Sequence, residues 1–176
     1  MSETGCRTGL TIIYTGDGKG KTTAALGSAV RAAGHGLKVI VIQFVKGDPN
    51  CGEHFFAAKH RLFEIVQLAE GNSFTMSQED LRTTVRKTLE YAEAVLSSGE
   101  YQMVILDEIL VAIKKGLLDT SEVVDLVKGK PDSVDLILTG RQAPAELVKI
   151  ADLVTEMHMV RHPFTRGIPA RRGIEY

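Results

Sequence analysis

Residues Gly16-Asp17-Gly18-Lys19-Gly20-Lys21-Thr22-Thr23 place a Gly-Lys-Thr triplet at the end of a glycine-rich turn. Closely spaced glycines let a backbone aim several N–H groups at one point, which makes a cradle for polyphosphate. A lysine there neutralises phosphate charge, and the threonine hydroxyl reaches Mg²⁺. In the pattern G-x-x-x-x-G-K-[ST] the first glycine position is held by Thr15, so the match is incomplete. Asp17 adds a negative charge that Lys19, Lys21 or the metal must offset.

The elements around this loop decide whether it is a phosphate site. Leu10-Thr11-Ile12-Ile13-Tyr14 is β-branched and apolar, as a buried strand should be. Thr23 to Ala33 is rich in Ala and Leu and runs into Gly34 and Gly36, which suits a helix with a glycine stop. Strand, glycine-rich loop and helix thus come in the order a P-loop requires. Further strands are expected at Lys38–Val45, Leu62–Leu68, Met103–Leu106 and Val134–Leu138, with an edge strand at Leu153–Val160. Helices are expected at Ser77–Ser98, from the acidic pair to Gly116, at Ser121–Lys128, and from Pro144 to Ile150. Ser77 and Asp80 have the spacing of a capping box. The segment through Gly52 and Glu53 reads as a long loop containing Cys51. Alternating strands and helices predict an α/β fold, with a mainly parallel sheet covered by helices on both faces.

In such sheets ligands sit beyond the carboxyl ends of the strands. After the fourth strand come Asp107 and Glu108, where a carboxylate is expected beside the Mg²⁺ of the P-loop. After the fifth come Thr139-Gly140-Arg141, and Arg141 there is either a planar donor fork for phosphate or a surface turn residue.

The 176 residues suit one domain, with 1–9 as a short N-terminal extension and the basic, glycine-rich 166–176 as a tail or small hairpin. A net charge of -1 gives no reason to expect nucleic acid, and the arginines between Arg161 and Arg172 form the sole basic cluster. Two cysteines, without CxxC spacing, predict neither zinc nor a disulfide framework. No apolar run nears the ~20 residues that span a bilayer, so no membrane association is expected and the cytoplasm is the expected compartment. The five histidines show no catalytic spacing, and no Gly-x-Ser-x-Gly or Cys-His element points to covalent catalysis.

Taken together, Gly16 through Ala25, Arg31-Ala32-Ala33-Gly34-His35-Gly36, Gln43-Phe44-Val45-Lys46-Gly47, Leu106-Asp107-Glu108, Thr139-Gly140-Arg141, Leu153 through Glu156, His162-Pro163-Phe164 and Gly173-Ile174-Glu175-Tyr176 resemble the P-loop type of ATP:corrinoid adenosyltransferase. The likeness spans nearly the whole chain, in order. It implies a RecA-like P-loop NTPase fold, a tolerated non-glycine at Thr15, and transfer of the 5′-deoxyadenosyl group of ATP to Co(I) of a corrinoid with release of triphosphate. By that resemblance Gly16, Asp17, Gly18, Lys19, Gly20, Lys21, Thr22, Thr23, Arg31 and Arg141 hold ATP, and Thr22, Asp107 and Glu108 hold Mg²⁺. Lys21 stabilises the leaving group, and no acid–base residue is needed because reduced cobalt is the nucleophile. Phe74 and Met76 are the implied corrin contacts, Met76 standing where the family usually has Trp. A flavoprotein reductant and a homodimer are implied as well. A P-loop ATPase, a nucleoside kinase and a nucleotide-binding regulator remain the alternatives at this point.

Overall fold

The computed structural model describes residues 7–45, 50–68 and 76–175. Within them, β1 (Thr11–Thr15), β2 (Val39–Gln43), β3 (Glu64–Gln67), β4 (Met103–Asp107), β5 (Asp135–Thr139) and β6 (Leu153–Glu156) form one sheet in the order β3-β2-β4-β5-β1-β6. Every ladder is parallel. Parallel strands need crossovers, and α1 (Lys21–Gly34), α2 (Gly52–His60), α3 (Gln78–Ser98), α4 (Ile109–Lys114), α5 (Thr120–Gly129) and α6 (Ala145–Ile150) supply them.

Strand alternation sorts the core into two layers. Ile40, Ile42, Val104, Leu106, Leu136 and Leu138 point to the face covered by α3 to α6, where they meet Val85, Leu89, Ile109, Val123 and Leu147. Val39, Val41, Ile105 and Ile137 point the other way, onto Ala25, Ala29 and Ala32 of α1 and Ala57 of α2. Small alanines let α1 lie close to the sheet, which fixes the direction in which its amino end points. The α/β, RecA-like expectation with helices on both faces is what the chain adopts. β5 lies between β1 and β4, so the loop strand and the acidic strand are second neighbours.

Four features differ from expectation. Gly52–His60 is a helix, α2, where a loop was expected. Its apolar Phe55 and Phe56 are exposed and only Ala57 is buried, so no periodic stripe marks it in sequence. β6 is an edge strand as expected but stops at Glu156, because the chain then crosses beneath the phosphate loop: Met157 N donates to Thr15 O at 2.8 Å, and Gly18 N donates to Met157 O at 2.7 Å. Beyond a 3-10 helix at Pro163–Arg166, residues 172–175 form a turn that lies against the phosphate loop. The cap of α3 is half of what was expected: Ser77 Oγ accepts from Asp80 N at 3.1 Å.

Candidate nucleotide site

Because the sheet is parallel, all its strands deliver their carboxyl ends to one edge. Register puts Gln43 of β2 level with Asp107 of β4, and Tyr14 of β1 level with Thr139 of β5. Polar residues at the ends of otherwise apolar strands therefore meet in one row.

Thr15 remains within β1, with its Oγ1 accepting from Ala143 N at 3.1 Å. The left-handed backbone falls one residue later, at Gly16 (φ 98°), and recurs at Gly20 (φ 118°), the residue before α1. The turn thus places no left-handed demand on Thr15, which accounts for a threonine at that position of the pattern. A Cβ at Gly16 would lie 2.4 Å from Met157 O, and one at Gly18 would lie 2.7 Å from the same atom. The glycines are needed as much for the chain packed under the loop as for a ligand above it.

Asp107, fully buried, is the hub of the floor. Its Oδ1 accepts from Thr22 Oγ1 at 2.9 Å and from Thr139 Oγ1 at 2.7 Å. Its Oδ2 accepts from Gln43 Nε2 at 3.2 Å, and Gln43 Oε1 lies 2.8 Å from His54 Nε2 of α2. Thr139 Oγ1 also accepts from Glu108 N at 2.9 Å, which fixes the left-handed Glu108 (φ 64°) at the start of α4. Thr22 and Asp107 offer hard oxygens side by side, and Glu108 lines the same cavity. That donor set fits Mg²⁺, which takes one or two protein oxygens and fills its octahedron with phosphate and water.

Lys21 curls over the loop, its Nζ donating to Gly16 O at 2.8 Å and Gly18 O at 2.6 Å. Burial first, and the Arg141 guanidinium second, push Lys21 below the usual lysine range, against the pull of Asp17, Glu108 and Asp107. Above this floor opens a cavity of about 680 Å³. Lys19, Thr22, Thr139 and Arg141 line its polar side, and Leu26, Val30, Phe56 and Phe63 its apolar side. One ligand with a charged chain and a flat apolar ring system would meet both sides.

The sequence matches a family model described as ATP:corrinoid adenosyltransferase BtuR/CobO/CobP over residues 7–176. The chain belongs to that family. It is similar to a corrinoid adenosyltransferase of Sinorhizobium sp, 40% identical over 96% of this chain and 80% of that protein. It is 37% identical to the corrinoid adenosyltransferase of Escherichia coli K12, and 35% identical to corrinoid adenosyltransferase CobA of Salmonella typhimurium, in each case over 96% of this chain and 86% of the relative. A solved structure, EssC (ATPases 2 and 3) from Geobacillus thermodenitrificans, has 13% identity and a TM-score of 0.49 over 95% of this chain and 36% of that one. The fold assignment rests on the sheet order and the phosphate loop.

Against the residues that the family resemblance implies, the structure gathers Lys19, Gly20, Lys21, Thr22, Thr23, Glu108 and Arg141 around one cavity, with Asp107 beneath. Asp17 is exposed and Arg31 sits on the exposed last turn of α1; neither lines the cavity. Met76 packs half-buried against the core under α3, and Phe74 lies outside the described residues. Sequence reasoning passed over Gln43, His54 and Thr139 as site residues. A glutamine closing the otherwise apolar run at Val39–Gln43 was the available signal. His54 had none, because its helix was not legible.

Proposed function

We propose that this chain transfers the 5′-deoxyadenosyl group of MgATP to Co(I) of a corrinoid and releases intact triphosphate. Family membership gives the reaction class. The observation that carries the residue assignment is the Thr22–Asp107–Thr139 cluster beside a loop that holds Lys21 over its own carbonyls. The substrate's Co(I) attacks C5′ of ATP as the nucleophile. A Co–C bond forms, the C5′–O bond breaks, and its electron pair leaves on the triphosphate. Cobalt supplies both electrons and becomes Co(III), so no side chain need remove a proton.

The protein's share is positioning and charge stabilisation. The amides at the Gly20 end of the loop, with Lys19, Lys21 and Thr23, hold the triphosphate, while Gly16 and Gly18 pack against Met157 and shape the turn. Lys21 leaves the loop carbonyls for phosphate oxygens, exchanging neutral acceptors for charged ones, and Arg141 adds a donor fork from β5. Thr22, Asp107 and Glu108 hold Mg²⁺, which when bound screens the charge that builds on the leaving chain. Leu26, Val30, Phe56 and Phe63 shelter the adenosine, and Arg31, Phe74 and Met76 complete the reading as outlying nucleotide and corrin contacts. Asp17 faces solvent and tempers Lys21 from outside the cavity.

Co(I) demands a strong one-electron donor, and we assign that role to a reduced flavoprotein. Exposed Leu153 and Val154 on the edge strand β6, with Val160 and Phe164 exposed further along the chain, support a homodimer. Among the described residues no helix is long and apolar enough to cross a membrane. We assign the work to the cytoplasm, where ATP and a reductant are both at hand.

The test mixes the protein with MgATP and chemically reduced cobalamin without oxygen, and follows the absorbance of the adenosylated corrinoid. Product in proportion to enzyme turnover is the expected result. ATP consumption with no adenosylated corrinoid would overturn the proposal.

A further inference from the structure

The end of the chain returns to the phosphate loop. Gly173, Ile174 and Glu175 line the nucleotide cavity, and a Glu175 carboxylate oxygen lies 3.7 Å from Lys19 Nζ. The Glu175 side chain is only 20% exposed, against 44% for Lys19. It is also held in place: Glu175 Oε2 accepts from Arg171 N at 2.7 Å, and Glu175 N donates to Arg171 O at 2.9 Å. A closed turn thus presents one carboxylate to the cationic end of a cavity suited to triphosphate.

These contacts conflict with a bound phosphate chain. Lys19 cannot serve Glu175 and a phosphate equally, and a carboxylate near phosphate oxygens in a half-buried cavity repels them. Lys21 is likewise engaged, with the Gly16 and Gly18 carbonyls. Both loop lysines are therefore paired within the protein in this structure.

We propose that Glu175 is a positioning residue for Lys19, and that a phosphate chain takes Lys19 only by displacing the turn 171–175. The inference rests on the reading of the loop as a triphosphate site. Glu175 then sets a charge threshold: a triphosphate, which gains most from Lys19, displaces the turn more readily than a shorter phosphate chain does. The Lys19–Glu175 pair is partly exposed and 3.7 Å long, so neutralising Glu175 should change affinity by about fivefold.

The experiment measures binding of Mg²⁺-tripolyphosphate by calorimetry to the full chain, to Glu175→Gln, to Lys19→Met and to the double variant. Glu175→Gln should bind about fivefold more tightly than the unaltered chain, and this gain should vanish in the Lys19→Met background. Trypsin should cut after Arg171 and Arg172 faster when tripolyphosphate is present. Unchanged or weaker binding by Glu175→Gln, a gain that persists without Lys19, or an unchanged cleavage rate would overturn the inference. Failure of all four folded proteins to bind tripolyphosphate would instead overturn the loop assignment, and the inference with it.

Discussion

The floor and the rim of the nucleotide cavity are built on different principles. At the floor, Asp107 is fully buried and receives hydrogen bonds from Thr22, Thr139 and Gln43, each delivered by a different element. At the rim, Lys19, Arg141 and Glu175 are at least partly exposed, and the contact of Lys19 with Glu175 runs between a loop and the far end of the chain. A buried network in a low-dielectric setting is rigid and costly to break, whereas an exposed ion pair is cheap to exchange. The division suits the proposed reaction, in which a metal and a leaving group would be held in fixed geometry while a highly charged ligand is admitted and released.

The largest expected effect is at the floor. Asp107→Ala leaves the Thr22 and Thr139 hydroxyls and the Gln43 amide without their acceptor, and should cost about 3 kcal/mol in urea unfolding as well as abolishing Mg²⁺-dependent transfer. Unaltered stability would show that the network is not the rigid part of the site. Lys21→Ala comes next. Loss of leaving-group stabilisation should lower transfer by about 10²–10³-fold, while thermal unfolding moves little because Lys21 bonds only to loop carbonyls. Wild-type turnover in this variant would break the loop assignment.

Smaller effects come from charge coupling between rim and floor. Lys21 sits below the usual lysine range in the free protein, and phosphate raises it again, so binding takes up a proton. Tripolyphosphate affinity should therefore fall as pH rises through the lowered Lys21 value, at a pH where an ordinary lysine would still be charged. Affinity flat with pH up to the usual lysine range would contradict this. Arg141→Met removes one cause of the lowering, and should move the pH of that fall upward while weakening binding only severalfold. A shift in the other direction would mean that Arg141 acts on Lys21 through something other than its charge.

Part of the floor and part of the rim were legible in the sequence, Thr22 and Asp107 at the floor and Lys19 and Arg141 at the rim. Lys21, Thr22, Asp107 and Glu108 follow apolar strands and carry chemistry that few other patterns share, so residue type and spacing located them. Thr139 and Gln43 were visible only as strand ends, because register rather than local sequence brings them to Asp107. Helix α2 escaped because its phenylalanines are exposed and only Ala57 is buried, which leaves no stripe to read. The contact between Lys19 and Glu175 joins the two ends of the chain, and no local pattern marks such a pairing. The role of Met157 beneath Gly16 and Gly18 was hidden for the same reason.

In the proposed reaction the loop holds a whole triphosphate as the leaving group. Phosphorus-31 spectra of a completed reaction with MgATP and reduced cobalamin test it most directly. One equivalent of intact triphosphate is expected for each adenosylated corrinoid formed. Orthophosphate accompanied by ADP, in place of triphosphate, would contradict it.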